Sequence, residues 1–211
     1  MRIKNTFPLL LLALIGVTAY ADSITDGFYV TGQVTHSSST LDQSKFTTAL
    51  TTAGATGIAS SANGSGNEWR LQLGYQLNPN FAIEAGYIDF GKTNYTANYT
   101  GGSASGTQKP GGVDVVAVGI LPLTPEFSVF GKLGGVAVST KTSLSASTLA
   151  AATTNTSSNG VRPLIGLGAS YNLQKNLDLR ADIDHVSGLG KTSSGGAVNE
   201  NAVSLGVSYH F

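Results

Sequence analysis

The residues of this chain that could do chemistry are few, and most stand in the wrong company. His185 and Ser187 flank Val186, and on an extended segment residues two apart share a face. With Asp89 to orient the imidazole they would supply the acid, base and nucleophile of a triad. Gly86-Tyr87-Ile88-Asp89-Phe90-Gly91-Lys92-Thr93 fits the phosphate-loop pattern G-x-x-x-x-G-K-[ST], which works only where a strand leads in and a helix starts directly after the lysine. Asn94 to Tyr99 alternate instead and favour a strand. Gly166-Leu167-Gly168 and Gly188-Leu189-Gly190 begin dinucleotide fingerprints, but Tyr171 and Ser193 stand where the third glycine belongs; glycines inside strands serve close packing or a bend. His36, His185 and His210 fall on separate segments, and there is no cysteine, so no metal is expected. Asp178, Asp182 and Asp184 share a face with Arg180 among them, which reads as a salt-bridge cluster rather than a cation site. The expectation is a protein with no cofactor and no catalytic residue.

The elements that must position these side chains are strands. In the last eleven residues Val203, Leu205, Val207, Tyr209 and Phe211 point one way, while Ala202, Ser204, Gly206, Ser208 and His210 point the other. Trp69, Leu71, Leu73, Tyr75 and Leu77 likewise oppose Glu68, Arg70, Gln72, Gly74 and Gln76. Eight such segments are expected: Phe28 to His36, Glu68 to Leu77, Phe81 to Phe90, Val113 to Leu121, Phe127 to Thr140, Val161 to Tyr171, Leu177 to Ser187 and Ala202 to Phe211. Each has the length of a tilted strand that crosses a bilayer, about 9 to 11 residues or somewhat more.

Connections alternate in kind. Asn78-Pro79-Asn80, Pro122 to Glu126 and Asn172 to Asn176 are tight turns rich in Asn and Pro. Ser37 to Gly66, Gly91 to Gly112, Lys141 to Gly160 and Gly188 to Glu200 are long and drawn from Ser, Thr, Ala, Gly and Asn, and all four fall on one rim. The first of them holds Leu41, Phe46, Leu50 and Ala53 at helical spacing. An even strand count with short turns on one side and long loops on the other is the pattern of a transmembrane β-barrel with both termini periplasmic.

The N-terminus and the composition fit. Arg2 and Lys4 precede an apolar run from Leu9 to Val17 and the small-x-small site Ala19-Tyr20-Ala21, the signature of a signal peptide, residues 1–21, cut after Ala21. The barrel domain is then residues 22–211. Cleavage leaves ten basic residues against twelve acidic ones, a net charge near −2 with no basic stretch to recommend nucleic acid. Only 11% of residues are charged and 27 are glycine, which favours short strands and turns over helices.

Leu73-Gly74-Tyr75-Gln76-Leu77-Asn78-Pro79, Ile83-Glu84-Ala85-Gly86-Tyr87, Lys132-Leu133-Gly134-Gly135 and Ser204 to Phe211 carry a resemblance over the whole mature chain. The chain resembles the transmembrane domain of outer-membrane protein A and the related small opacity-type barrels. The resemblance implies an eight-stranded antiparallel up-and-down barrel whose lumen is crossed by ion pairs. Glu84 and Arg180 match the family's lumen acid and base; its lumen lysine falls at Val118 and its second glutamate at Ser170. Inward positions nearby offer Arg70, Lys132, Asp182 and Asp184 as a rewired network. Tyr209 and Phe211 resemble the terminal sorting mark that the barrel-assembly machinery reads, and no counterpart of the larger family member's soluble peptidoglycan-binding domain follows. The His-x-Ser pair is similar to that of lipid A deacylases, yet Gly188 replaces the asparagine that follows there; the other reading gives His185 an interfacial ring position.

Three functions compete at this point. One is a non-enzymatic barrel in the bacterial outer membrane with a structural role in the envelope, embedded in lipid and lipopolysaccharide, its loops meeting a host or surface ligand. The second is a small porin-like channel of low conductance. The third, a soluble lipocalin-type barrel, would reverse the faces, because Leu71, Leu73, Leu133, Leu179, Ile183, Val203 and Leu205 would have to turn inward.

Overall fold

The computed structural model describes residues 27–39, 44–65, 68–189 and 198–211. The leader expected at residues 1–21 lies outside them. Ten strands appear among the described residues: β1 (Gly27–Ser39), β2 (Ala59–Ser65), β3 (Glu68–Asn78), β4 (Phe81–Asp89), β5 (Lys92–Tyr99), β6 (Gly102–Pro122), β7 (Phe127–Ala146), β8 (Thr154–Gln174), β9 (Leu177–Leu189) and β10 (Val198–His210). A helix, α1 (Ser44–Thr52), precedes β2. No helix among the described residues is long and apolar enough to cross a membrane.

Eight of the strands close a ring. β1 pairs with β10 on one side and β3 on the other, and the circuit runs on through β4, β6, β7, β8 and β9, every pair antiparallel. Closure leaves this part of the sheet without an edge. The alternation read from the sequence sets the faces: Leu71, Leu73, Leu133, Leu179, Ile183, Val203 and Leu205 lie on the outside, 47% to 67% exposed. Arg70, Glu84 and Arg180 lie inside, at 7% or less. A lipocalin arrangement would invert this.

Aromatic rings mark both ends of the apolar band. Phe28 packs on Tyr75 at 4.8 Å and Tyr209 meets Phe211 edge-on at 5.3 Å near the tight turns; Trp69 and Tyr87 pair at 5.5 Å at the other end. Such girdles flank the hydrocarbon zone of transmembrane barrels. Gly27 and Phe211 both lie at the turn end, where the Phe211 amide donates to the Phe28 carbonyl at 3.0 Å.

The long connections differ from the expectation of loops. β6, β7 and β8 run on past the ring as a meander of 21-, 20- and 21-residue strands. β5 pairs on the extension of β6, and β2 pairs on β5. What read as three loops is thus largely sheet, a lobe with its own core of Phe46, Leu50, Tyr95, Tyr99, Ala104 and Leu144. The signal was present in Tyr95, Ala97 and Tyr99, which alternate with polar residues and are all buried. The helix expected in the first connection forms, and its Phe46 ring stacks on Tyr95 at 4.5 Å. Gly54, at φ +97°, ends it: its amide bonds Thr51 and that of Ala55 bonds Leu50, the Schellman pattern that a left-handed residue permits. Of the fourth connection, 190–197 lie outside the described residues.

Candidate functional site

The inward positions of the ring converge on a chain of ion pairs. Arg70 from β3 reaches Asp114 of β6 at 2.6 Å and Asp184 of β9 at 2.5 Å. Lys132 from β7 places its Nζ 2.8 Å from Asp184 Oδ1 and 2.8 Å from Asp182 Oδ2. Arg180 Nε is 3.1 Å from Asp182 Oδ1, and the other end of the same guanidinium bonds Glu84 of β4. The Tyr29 hydroxyl of β1 donates to Glu84 Oε1 at 2.7 Å. Read in order, Asp114, Arg70, Asp184, Lys132, Asp182, Arg180, Glu84 and Tyr29 form one unbroken line across the lumen.

Two amides add to it. Gln33 donates to Asp182 at 2.6 Å and Gln72 to Asp114 at 3.1 Å. The Arg180 guanidinium also lies over the Phe130 ring, 4.3 Å from its centroid, a cation–π contact in a desolvated place. Burial of so many charges is tolerable only because each has a partner of opposite sign within hydrogen-bond distance.

Glycines make the room. Gly74 faces Tyr29 across the β1–β3 pair, and a Cβ there would collide with the phenol ring. Gly168 stands opposite Phe130 in the same way, and Gly166 lies under Asp184 and Lys132. The Gly166-Leu167-Gly168 pair therefore serves lumen packing rather than a cofactor. The position of the ammonium has a simple account too. Val118, where the resemblance places the family's lysine, is the direct cross-strand partner of Lys132, so the charge enters from the next strand.

All six residues singled out from the sequence, Arg70, Glu84, Lys132, Arg180, Asp182 and Asp184, are buried and linked. Sequence reasoning missed Asp114, Tyr29, Gln33 and Gln72. Asp114 shares its parity with Val116, Val118 and Ile120, so its inward face was readable from the alternation. Tyr29 gave no such sign, since an aromatic near a strand end reads equally well as a girdle residue. A satellite pair, His210 Nε2 to Asp178 Oδ2 at 2.9 Å, sits at the turn end.

Two cavities flank the line and share no lining residue. One of about 140 Å³ opens at the turn end and is bounded by Tyr29, Phe130, Arg180, Asp178 and His210. The other, about 20 Å³, lies toward the lobe against Arg70, Asp184, Ile88 and Leu164. The ion pairs and the apolar residues beside them separate the two. An eight-stranded barrel has an interior that side chains can fill.

The other candidate chemistries are not assembled. His185 Nδ1 lies 2.8 Å from Asn201 Oδ1 on the outward surface. Asp89 belongs to β4, four strands from β9 in either direction round the ring, and its carboxylate accepts from the Gly91 amide at 2.8 Å. The sequence that fits a phosphate loop is strand, bulge and strand: β4 ends at Asp89, Gly91 turns at φ +73° and β5 begins. No group of three or more potential ligands among the described residues could hold a metal ion.

A closed antiparallel ring of eight strands, apolar outside and charged inside, with aromatic girdles at both ends, defines a transmembrane β-barrel of the outer-membrane class. The chain belongs to the OmpA-like transmembrane domain family, whose model matches residues 25–211. It is 32% identical over 142 residues to outer membrane protein A of Serratia marcescens, a match covering 66% of this chain and 38% of that one. The chain thus spans well under half the length of that relative. An uncharacterized protein of Coxiella burnetii is 27% identical over 222 residues, covering 92% of this chain and 88% of the other. Among solved structures, Neisserial surface protein A superposes with a TM-score of 0.54 at 16% identity, covering 89% of this chain and 99% of that one. The protein is an outer-membrane barrel.

Proposed function

We propose that this chain is a closed, non-conducting wall element of the outer membrane that contributes to envelope integrity and holds its lobe outside the cell for adhesion or recognition, without catalysis. The single observation that supports closure is the unbroken line of ion pairs from Asp114 to Tyr29. Conduction would require several of these charges to part at once, each leaving a desolvated partner. In this reading the leader is removed after Ala21, Tyr209 and Phe211 guide the last strand to the barrel-assembly machinery, and both termini are periplasmic. The lobe then faces the medium and stands among lipopolysaccharide.

Purified full-length protein in planar bilayers should give silent recordings. Discrete openings of the native chain would favour the second reading, a low-conductance channel. The 140 Å³ vestibule that ends on Arg180 speaks for that alternative, since it brings solvent to one side of the charged line.

A further inference from the structure

Three lysines stand in a row on the outward surface, just past the girdle at the lobe end. Lys109 of β6 and Lys141 of β7 are direct cross-strand partners. Lys92 precedes Thr93, the partner of Gln108 on β6, and so stands level with Lys109 on β5. All three are exposed. Like charges placed opposite each other on neighbouring strands repel, and among the described residues no ion pair offsets them. Among the described residues no side-chain hydrogen bond or ion pair engages Lys92, Lys109 or Lys141. The acids near the row on its own strands and their neighbours are turned elsewhere: Asp114 is buried, Asp89 is held by the Gly91 amide, and Glu68, which packs against Gly91, carries its Oε2 buried.

The height of the row is fixed by what lies beneath it. Val113, on the same face of β6, belongs to the exposed apolar band, and Lys109 is four residues further on, about 13 Å along the strand. Gly111 falls between them, and a Cβ there would meet the Tyr87 hydroxyl at 2.6 Å. The lysines are therefore one side-chain step beyond the phenol of a girdle residue, the depth at which lipid headgroups begin. Exposed Ser139 and Ser157 flank Lys141 on that surface. Three unpaired ammonium groups with hydroxyls beside them, at headgroup depth, match phosphate.

We infer that Lys92, Lys109 and Lys141 bind the phosphate groups of lipopolysaccharide in the outer leaflet. The inference rests on the proposed orientation, in which the lobe lies outside. Neutralising attraction of this kind gathers anionic headgroups onto juxtamembrane basic residues, and it removes the repulsion between Lys109 and Lys141.

The test is a binding titration of the full chain in detergent micelles with three probes: lipopolysaccharide, dephosphorylated lipopolysaccharide and inorganic phosphate. The native chain should bind the phosphorylated form at least about tenfold more tightly than the dephosphorylated one. The combined change Lys92→Gln, Lys109→Gln and Lys141→Gln should erase that difference, and the matching triple change to arginine should keep it. Heat-modifiable gel mobility checks that each variant has folded. If the triple glutamine variant does not fold, Lys109→Gln and Lys141→Gln made singly carry the comparison, with a weakened preference expected from each. Undiminished affinity in the glutamine variants, or a native chain indifferent to dephosphorylation, overturns the proposal. Competition by inorganic phosphate at the concentration of the lipid overturns it too, since the site would then serve a soluble anion. Channel openings with lipid binding retained would sink the closed-barrel reading and leave the lysine row standing, whereas silence with binding lost would do the reverse.

Discussion

The ring of Tyr29 lies over Gly74, its direct cross-strand partner, and occupies the space a side chain there would need. That placement aims the Tyr29 hydroxyl at Glu84 and so fixes one end of the charged line. Gly74→Val should force the ring away and destabilise the barrel by about 1–3 kcal/mol, the range for overpacking. Gly32→Ala, on the outward face with no atom within 4 Å of its Cβ position, should stay within about 0.5 kcal/mol. Guanidinium unfolding of both variants in lipid vesicles makes the comparison, and equal midpoints would show that the ring can be displaced without loss.

Arg180 holds Glu84 and Asp182 together. Its replacement by alanine leaves Glu84 buried without a cation, while Asp182 keeps Lys132, and should cost roughly 3–5 kcal/mol. Adding Glu84→Leu to that variant removes the stranded carboxylate and should recover part of the loss. A double variant no more stable than Arg180→Ala alone would mean that Glu84 is not the group left wanting.

Lys132 and Arg180 are the two cations that contact Asp182. Lys132→Ala with Arg180→Ala leaves the centre of the lumen with carboxylates facing one another, which should admit water and cations. Planar-bilayer recordings are then expected to pass from silence to discrete cation-selective openings. Continued silence in a folded double variant would place the barrier in the apolar residues, Val118 and Phe130 among them, rather than in the charges.

Leu50 is fully buried in the lobe, away from the ring. Leu50→Ala should weaken the lobe by about 2–5 kcal/mol, the usual range for a large-to-small change in a core. Because the lobe and the ring have separate cores, proteolysis of the lobe should quicken while heat-modifiable mobility stays as it was. Loss of both together would show that the ring depends on the lobe.

Trp69, the single tryptophan of the chain, faces outward beside Tyr87. Folding into vesicles should shift its emission to the blue. Lipids brominated near the headgroup should quench it more than lipids brominated deep in the chain. The opposite order would move the girdle, and the lysine row above it, to a different depth.

The ring was legible because strand alternation is a local property: each residue's parity assigns its face, and eight stretches agreed on greasy out and charged in. The lobe was less so. Ser, Thr, Ala and Gly read as loop, and only the buried Tyr95 and Tyr99 pair marked a strand that continues a hairpin beyond the membrane. Phe46 and Leu50 were visible as a helical pair, but their contact with Tyr95 joins segments about fifty residues apart and has no local trace.

From its sequence alone this chain settled which residues face the lumen, since period-two alternation and the tight Asn-Pro turns fix face and order together. Which lumen charge meets which was decided only by closure. Register between strands brings Arg70 to Asp114 and Asp184, sets Lys132 beside Val118, and levels Lys92 with Lys109 and Lys141. These meetings depend on the stagger of the whole ring, and a sum over eight strand pairs cannot be read from any one of them.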